Sequence, residues 1–364
     1  MHIKSPKAEL VSGIKAAQRA VLSKSTEPIL QCILIDAEGE KIAVIGNNLE
    51  LGIQTEIYGG ILEPGAVAVD AGLLANIVNK MPDDDIEIKS GADDRVVIQS
   101  GKTKFNIVGR SAENFTYPPK ISAENSVRLS QLTFKEMVGR TLFCVGKYGM
   151  MNAEYFKVSS DKLTVVALDG YRIAIRKTEL RQDCGEFEAI IPAKTLDSAL
   201  KIISSSAEKE VDICFGERHV SFFTGETVIT SRLIDGVYYN YGKMMKIDFS
   251  TRMTVNKTDF LSCLERVNLL VSENDKKPVI LTVTPVEVTA RIATGTGQMN
   301  EAIEIEQEGA ELEIGFSAQH LSDAVKNADD EEVTVYMSGN KSPAVVKDDT
   351  GKYAYIVLPV HYVS

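Results

Sequence analysis

Two patterns of apolar positions alternate along the chain. Over residues 7–21, Leu10, Ile14, Ala17 and Val21 recur at helical spacing, which predicts an amphipathic helix. Between such helices the apolar residues come in short runs bounded by turn residues, which is typical of strands. The first strands are predicted at Ile29–Ile35, Lys41–Ile45 and Leu49–Ile57. We therefore predict an α+β fold in which hairpins join most strands into antiparallel sheets, with the helices on one side.

One hairpin stands out in the middle of the chain. The apolar run 165–168 leads into Asp169 and Gly170, a pair that favours tight turns. A second strand follows, with Ile173 and Ile175 on one face. The pattern predicts Asp169 and Gly170 at the tip, and by itself it needs no explanation beyond an ordinary hairpin.

The predicted order of helices and strands occurs three times. The helices fall in pairs at Lys7–Val21 and Ala71–Lys80, at Gln131–Val145 and Ala193–Ser204, and at Lys257–Val271 and Ala318–Ala328. A period of about 120 residues indicates three copies of a whole domain, not a solenoid. We expect domains at residues 1–121, 126–246 and 247–364, each with two helices and about eight strands.

The composition narrows the class of protein. Of the 364 residues, 44% are hydrophobic and 25% are charged, as in a soluble globular protein. The chain has no apolar run long enough to span a membrane, and residues 1–7 lack the apolar core of a signal peptide. The five cysteines are widely spaced and form no CxxC pair, which favours reduced thiols, no structural zinc and a cytoplasmic location.

Motifs for catalysis are missing from the sequence. It has no phosphate-binding loop, no dinucleotide fingerprint, no nucleophile elbow and no HExxH. The acidic runs 83–85 and 329–332 each follow a predicted second helix, so we interpret them as solvated turns and not as metal ligands. We predict a protein without catalytic residues, metal or cofactor.

The net charge of −11 by itself argues against a nucleic-acid partner. A basic surface on one face would reverse that argument, so the distribution of lysine and arginine must decide.

Several short motifs occur in a fixed order. They are EPIL at 27–30, NLEL at 48–51, SGKTKF at 100–105, ALDGYRIA at 167–174, LIDG at 233–236 and YIVLPV at 355–360. Together with the threefold repeat, they resemble the bacterial sliding clamp family, the beta subunit of DNA polymerase III, over essentially the whole chain.

The resemblance implies a head-to-tail homodimer that forms a ring of six similar domains around double-stranded DNA. Such a ring is not an enzyme. It tethers the alpha subunit of the replicative polymerase, and it also binds the delta subunit of the clamp loader and other proteins with clamp-binding motifs. Because the ring encloses the DNA, its partners stay at high effective concentration on the template. The resemblance implies no membrane partner.

A sliding ring must attract phosphates without reading bases, which calls for diffuse basic contacts. Basic residues on or near the predicted helices suit this role, and the resemblance adds a loop that touches single-stranded template in the family. The candidates are Lys15, Arg19, Lys24, Lys135, Arg140 and Lys201, with Lys147 and Tyr148 in the loop. For each basic residue, an ordinary solvated charge remains the alternative.

The resemblance also implies a groove between the second and third domains that takes a short linear peptide with apolar anchors. The matching positions are Met151, Leu168, Gly170, Tyr171, Arg172, Ile173, Tyr239, Lys243, Met244, Ile356, Leu358, Pro359 and Val360. Without the resemblance, Leu168, Ile173 and Ile356 would be interpreted as core. The tail after Pro359 departs from the family pattern, so the peptide preference is open.

For the subunit interface, the resemblance places Phe105, at the edge of the first copy, against Leu269 and Leu270 of the third copy.

Two other classes of protein compete with the clamp interpretation. One is a monomeric scaffold that binds only proteins, and the other is an enzyme whose acidic runs converge on a metal.

Overall fold

The computed structural model describes residues 1–364 except 83, 92, 123, 243–247, 273–276 and 363–364. In the described residues the α-helices are α1 (Lys7–Ala17), α2 (Ala71–Lys80), α3 (Gln131–Gly139), α4 (Ala193–Ile202), α5 (Lys257–Asn268) and α6 (Ala318–Asn327). The strands are β1 (His2–Pro6), β2 (Cys32–Asp36), β3 (Ile42–Asn47), β4 (Leu51–Ile57), β5 (Gly60–Glu63), β6 (Ala66–Asp70), β7 (Asp85–Ser90), β8 (Arg95–Ser100), β9 (Thr103–Val108), β10 (Asn125–Ser130), β11 (Ala153–Ser159), β12 (Lys162–Leu168), β13 (Arg172–Glu179), β14 (Glu186–Pro192), β15 (Glu210–Phe215), β16 (His219–Thr224), β17 (Thr227–Arg232), β18 (Thr251–Asn256), β19 (Val279–Val283), β20 (Glu287–Thr294), β21 (Gly297–Glu304), β22 (Glu306–Gly309), β23 (Leu312–Phe316), β24 (Glu332–Met337), β25 (Ala344–Lys347) and β26 (Tyr353–Val357).

Side-chain caps fix where several helices begin. Asp70 accepts a hydrogen bond from Leu73 N at 2.8 Å and opens α2, as the sequence predicts. Asn256 caps α5 and Ser317 caps α6 in the same way. The first helix of each pair ends earlier than its apolar pattern suggests. In α1 the reason is that the chain continues as a 3-10 turn, Gln18–Ala20, which is wound more tightly than an α-helix.

The sequence pattern misses five short strands, β1, β5, β10, β18 and β22. Polar residues occupy most positions of β10 and β22, so these two strands do not stand out as apolar runs. The predicted strand from residue 29 begins only at Cys32, since Pro28–Gln31 forms a 3-10 turn. Leu49, predicted to start a strand, instead lies in a turn with a φ of +73°.

The described chain divides into two compact units. The first contains Met1–Phe134 and Lys194–Ile234. Its two sheets have the strand orders β5-β1-β7-β8-β9 and β10-β15-β16-β17-β4-β3-β2-β6. Helices α1 and α2 pack together, and Leu10 and Leu74 belong to one buried cluster with residues of both sheets.

The second unit contains Lys135–Ala193 and Asp235–Ser364. Its sheets have the orders β14-β11-β12-β13-β26-β25-β24-β18-β22 and β21-β20-β19-β23. Helices α5 and α6 pack together and contribute Phe260 and Leu321 to its core. All pairings between the described strands of both units are antiparallel, which confirms the predicted sheet type.

In each unit one pair of strands joins two copies of the repeat. In both units a similar main-chain hydrogen bond lies at the end of this strand pair. In the first unit β4 pairs with β17, and Arg232 N donates to Glu50 O at 2.9 Å. In the second unit β13 pairs with β26, and Leu358 N donates to Tyr171 O at 2.9 Å. This repeated geometry supports three copies of one α+β domain.

No helix in the described part of the chain has the length and apolar character needed to cross a membrane.

Candidate functional site

The turn between β12 and β13 is built by the side chain of Asp169. Its Oδ1 accepts hydrogen bonds from Tyr171 N at 2.9 Å and from Arg172 N at 3.1 Å. Asp169 N donates to Arg172 O at 3.3 Å, so Gly170 and Tyr171 form the tip. The predicted tip is wrong by one position, because the aspartate satisfies two N–H groups from the start of the turn and Gly170 takes the left-handed φ of +89°.

Arg172 ties this turn to α6. Its Nε donates to Asp169 Oδ2 at 2.9 Å, and its Nη1 donates to Asp323 Oδ2 at 2.5 Å. Its Nη2 donates to Phe143 O at 2.9 Å, and the guanidinium lies 5.3 Å from the centre of the Phe143 ring. Because the guanidinium of Arg172 donates to groups within the protein, this residue stabilises the turn.

The chain end crosses the same turn. β26 pairs with β13, with Ile356 opposite Ile173. Beyond this strand, Leu358 N donates to Tyr171 O and Val360 N donates to Gly315 O, at 2.9 and 2.8 Å. Residues 358–360 are therefore held between the turn and β23.

The predicted pocket residues separate into a buried floor and an exposed rim. Leu168, Ile173 and Ile356 are buried, in agreement with the alternative that assigns them to the core. Tyr171 is 66% exposed and Tyr239 is 44% exposed, so their rings are available to a partner. An apolar floor with an aromatic rim suits a peptide with apolar anchors.

Met151 lies beside the turn, with its Cε 4.0 Å from the position that a Gly170 Cβ would occupy. Tyr239 meets Tyr238 edge to face at 5.6 Å, and Tyr238 stacks on Tyr155 at 5.0 Å. The predicted pocket residues Lys243 and Met244 lie outside the described residues.

His320 is a rim residue that sequence reasoning missed. Its ring is tilted against that of Tyr171, with centres 6.1 Å apart. Burial and the nearby Arg172 lower the pKa of His320, which favours the neutral ring. Only its position three residues after the Ser317 cap could have drawn attention to it, and a capped helix start carries no functional signal.

The acidic run 329–332 is not simply a solvated turn, as its charge pattern suggested. Asp329 accepts hydrogen bonds from both Nη atoms of Arg176, at 3.1 and 2.7 Å, and pairs with Lys352 at 2.9 Å. Arg140, a predicted DNA contact, also forms an ion pair with Asp329. Asp329 therefore gathers three cations, and one of the predicted basic contacts is engaged within the protein.

A buried acid lies on β11. Glu154 Oε1 accepts a hydrogen bond from the Thr141 hydroxyl at 2.8 Å, while Oε2 is buried without a hydrogen-bond partner in the described structure. Burial raises the pKa of Glu154 well above its ordinary value, so the carboxyl is held in its neutral form.

The remaining predicted DNA contacts lie on surfaces of their own units. Lys15 is exposed on α1, Arg19 lies in the 3-10 turn that follows it, and Lys24 is exposed farther along. Lys201 on α4 pairs with Asp197 at 2.5 Å. In the second unit, Lys135 lies on α3, and Lys147 and Tyr148 occupy an exposed loop.

The predicted interface residues lie near two sheet edges. Phe105 is on β9, the edge strand of the five-stranded sheet. Leu269, just after α5, is 83% exposed, whereas Leu270 packs against the core of the second unit. The edge strand β21 has the acidic residues Glu301 and Glu304.

Within the described residues, no group of three or more histidine, cysteine, aspartate or glutamate side chains is arranged to hold a metal ion. Asp83, in the first acidic run, lies outside them. Cys32, Cys144 and Cys263 are buried free thiols, while Cys184 and Cys214 are half-buried.

Three family descriptions match successive parts of the chain. Residues 1–119 match the N-terminal domain of the DNA polymerase III beta subunit, residues 128–240 the central domain and residues 244–361 the C-terminal domain.

Similar proteins cover nearly the whole chain. The beta sliding clamp of Bacillus subtilis strain 168 is 29% identical, over 97% of this chain and 98% of the relative. The beta sliding clamp of Synechococcus elongatus is 27% identical, with 97% of both proteins covered.

Solved structures agree. A crystal structure assigned as a DNA polymerase III beta subunit, from Eubacterium rectale, is 39% identical with a TM-score of 0.96, over 100% of this chain and 99% of that one. The DNA polymerase sliding clamp of Bacillus subtilis has a TM-score of 0.96 at 27% identity, with both chains fully covered.

Proposed function

The chain belongs to the DNA polymerase III beta subunit family, and from this premise we propose that it acts as a DNA sliding clamp, a non-catalytic protein that gives a polymerase its processivity. The observation that carries the proposal is the match to all three clamp domains in order, over nearly the full length. A processivity factor needs a surface for DNA and a surface for its partners, and each has candidate residues here.

The proposed assembly is a homodimeric ring around double-stranded DNA, with domains at residues 1–121, 126–246 and 247–364 of each protomer. Two edge strands support the proposed seam. β9 has Lys104 and the partly exposed Phe105, while β21 has Glu304 and also Glu301, which pairs with Arg266 of its own unit. Pairing these edges between protomers would bring opposite charges together and cover two edges that otherwise invite aggregation.

Inside the ring, Lys15, Arg19, Lys24, Lys135 and Lys201 would supply diffuse contacts to phosphates, and Lys147 with Tyr148 would reach single-stranded template. Contacts of this kind give affinity without reading sequence, so the ring can slide. We give Arg140 and Lys201 a smaller share of this role than the sequence suggested, because they are already paired with Asp329 and Asp197.

We propose that the floor and rim around the turn 169–172 form the partner-peptide pocket. Apolar anchors of a peptide would rest on the floor, which includes Leu168, while Tyr171, Tyr239 and His320 form its aromatic rim. The proposed partners are the alpha subunit of the replicative polymerase, the delta subunit of the clamp loader and other proteins with a clamp-binding motif. The proposed location is the cytoplasm, where bacterial DNA is replicated.

The test of the proposed function is topological. A clamp loaded on a nicked circular plasmid should resist high salt and leave when the circle is cut open, because the ring can slide off an end. A scaffold that binds only proteins would show no difference between the two forms of DNA.

A further inference from the structure

A short segment after β26 is held to the rest of the second unit at several points. Residues 358–362 follow β26, and we call them the C-terminal strap. At one end of the strap Leu358 N donates to Tyr171 O at 2.9 Å, and farther along Val360 N donates to Gly315 O at 2.8 Å. The strap thus runs from the candidate pocket to β23, one of the two edge strands of the four-stranded sheet.

Tyr362 anchors the far end of the strap. Its hydroxyl donates to Glu313 Oε1 at 2.9 Å, and its ring lies over Gly315. A Cβ at position 315 would lie 2.7 Å from Tyr362 Cδ1 and 2.8 Å from Val360 O. The strap can therefore lie this close to β23 because residue 315 has no side chain.

Neighbouring strands of the sheet hold the Glu313 carboxylate, which is the acceptor for Tyr362. Glu313 Oε2 accepts hydrogen bonds from Arg291 Nη2 at 2.5 Å and from the Thr282 hydroxyl at 3.1 Å. This leaves Oε1 of the same carboxylate for the tyrosine. Burial and the Glu313 carboxylate raise the pKa of Tyr362, so its hydroxyl stays protonated and can donate.

We propose that Tyr362, with Glu313 and Gly315, is a positioning residue that holds the C-terminal wall of the partner-peptide pocket. This inference rests on the proposed function of that pocket, whose wall includes Leu358, Pro359 and Val360. Without the anchor, the wall beyond Leu358 is held to β23 only by the hydrogen bond from Val360 N to Gly315 O, so it is less well ordered. A peptide would then have to order it on binding, and its apparent affinity would fall with the fraction of ordered strap.

The experiment uses anisotropy to measure the affinity of a fluorescein-labelled pentapeptide, taken from the clamp-binding motif of the polymerase alpha subunit, for the full-length protein and three sets of variants. Tyr362→Ala should weaken binding about tenfold, and Tyr362→Phe about threefold, since it keeps the ring and loses one hydrogen bond. Gly315→Ala should also weaken binding, because the added methyl group displaces the strap. Gly39→Ala is the control, since a Cβ at this position would have no neighbouring heavy atom within 4 Å.

Two further measurements separate positioning from general structural damage. Tyr362→Phe combined with Glu313→Ala should weaken binding less than the product of the single effects, because each change removes the same hydrogen bond. The thermal midpoint and retention on circular DNA should match the wild type in the Tyr362 variants. A lower midpoint that accompanies the loss of affinity would contradict a positioning role.

The outcomes also distinguish the strap from the pocket. If the wild type does not bind the pentapeptide, the proposed pocket fails and the role of the strap fails with it. If the wild type binds it, and the Tyr362 and Gly315 variants bind within twofold of the wild type, the strap inference is overturned while the pocket stands.

Discussion

Arg176 donates two parallel hydrogen bonds to Asp329, Nη1 to Oδ1 at 3.1 Å and Nη2 to Oδ2 at 2.7 Å. The arginine side chain is 1% exposed and belongs to β13, four residues after Arg172 at the candidate pocket. Its Nη1 also donates to the Tyr355 hydroxyl at 3.2 Å. One ion pair therefore ties a strand of the second repeat to the end of α6 in the third.

Removing this carboxylate should destabilise the second unit strongly. Asp329→Ala leaves the Arg176 guanidinium buried without its main partner, and we expect a loss of about 3 kcal/mol in the free energy of unfolding. Lys352→Ala, which removes an exposed partner of the same carboxylate, is the control and should have a small effect. Urea unfolding followed by circular dichroism measures both, and equal midpoints for Asp329→Ala and the wild type would contradict this account.

Glu154 should make stability depend on pH. Its pKa is raised in the folded state, so the neutral carboxyl contributes stability that is fully present below the ordinary carboxyl pKa of about 4.3. That stability is lost as the pH rises toward the raised pKa of the folded state. We expect Glu154→Gln, which stays neutral, to flatten the fall of the urea midpoint above pH 5.

The matched control for this experiment is Glu311→Gln, which changes an exposed glutamate in the second unit. It should keep the pH dependence of the wild type. An identical pH dependence in Glu154→Gln and the wild type would show that this carboxyl is not held neutral.

Deleting residues 358–364 should abolish peptide binding and leave the dimer intact. The deletion removes the whole C-terminal wall of the candidate pocket, whereas the proposed dimer seam involves β9 and β21. Anisotropy with the labelled pentapeptide and sedimentation velocity measure the two properties on one sample. Normal peptide affinity in the truncated protein would refute the assignment of the pocket.

A charge placed at the proposed seam should separate the protomers. We expect Leu269→Asp to shift the protein from dimer to monomer at micromolar concentration, because the carboxylate would be buried next to Phe105 of the other protomer. Val286→Asp, at another exposed apolar position of the second unit, is the control and should remain dimeric. A wild-type monomer under the same conditions would count against the seam itself.

The sequence predicted the repeat well because its signals are local. Apolar spacing and caps such as Asp70 identify helices, and hairpin-connected strands indicate antiparallel sheets. Helix ends were less accurate, since a 3-10 turn preserves much of the apolar spacing of an α-helix. Weakly alternating strands such as β22 depend on pairing with distant residues, which a local pattern does not record.

Part of the candidate site could likewise be predicted from local sequence, and part could not. The turn at Asp169 was recognisable from a motif, although its tip was misplaced because the aspartate side chain takes over two main-chain N–H groups. The ring contact of His320 with Tyr171, the pairing of Arg176 with Asp329 and the anchoring of Tyr362 on Glu313 join residues at least 49 positions apart in sequence. Only the folded structure brings such residues together.

The most direct test of the sliding clamp function compares how well the protein is retained on circular DNA and on the same DNA after it has been cut. The protein is loaded onto a nicked circular plasmid with a clamp loader, washed at high salt, and the plasmid is then cut once. We predict that the protein stays on the circle and leaves the linear form, because a closed ring is linked to the circle and slides off an end. Equal dissociation from both forms would contradict the sliding clamp account and favour a scaffold that binds only proteins.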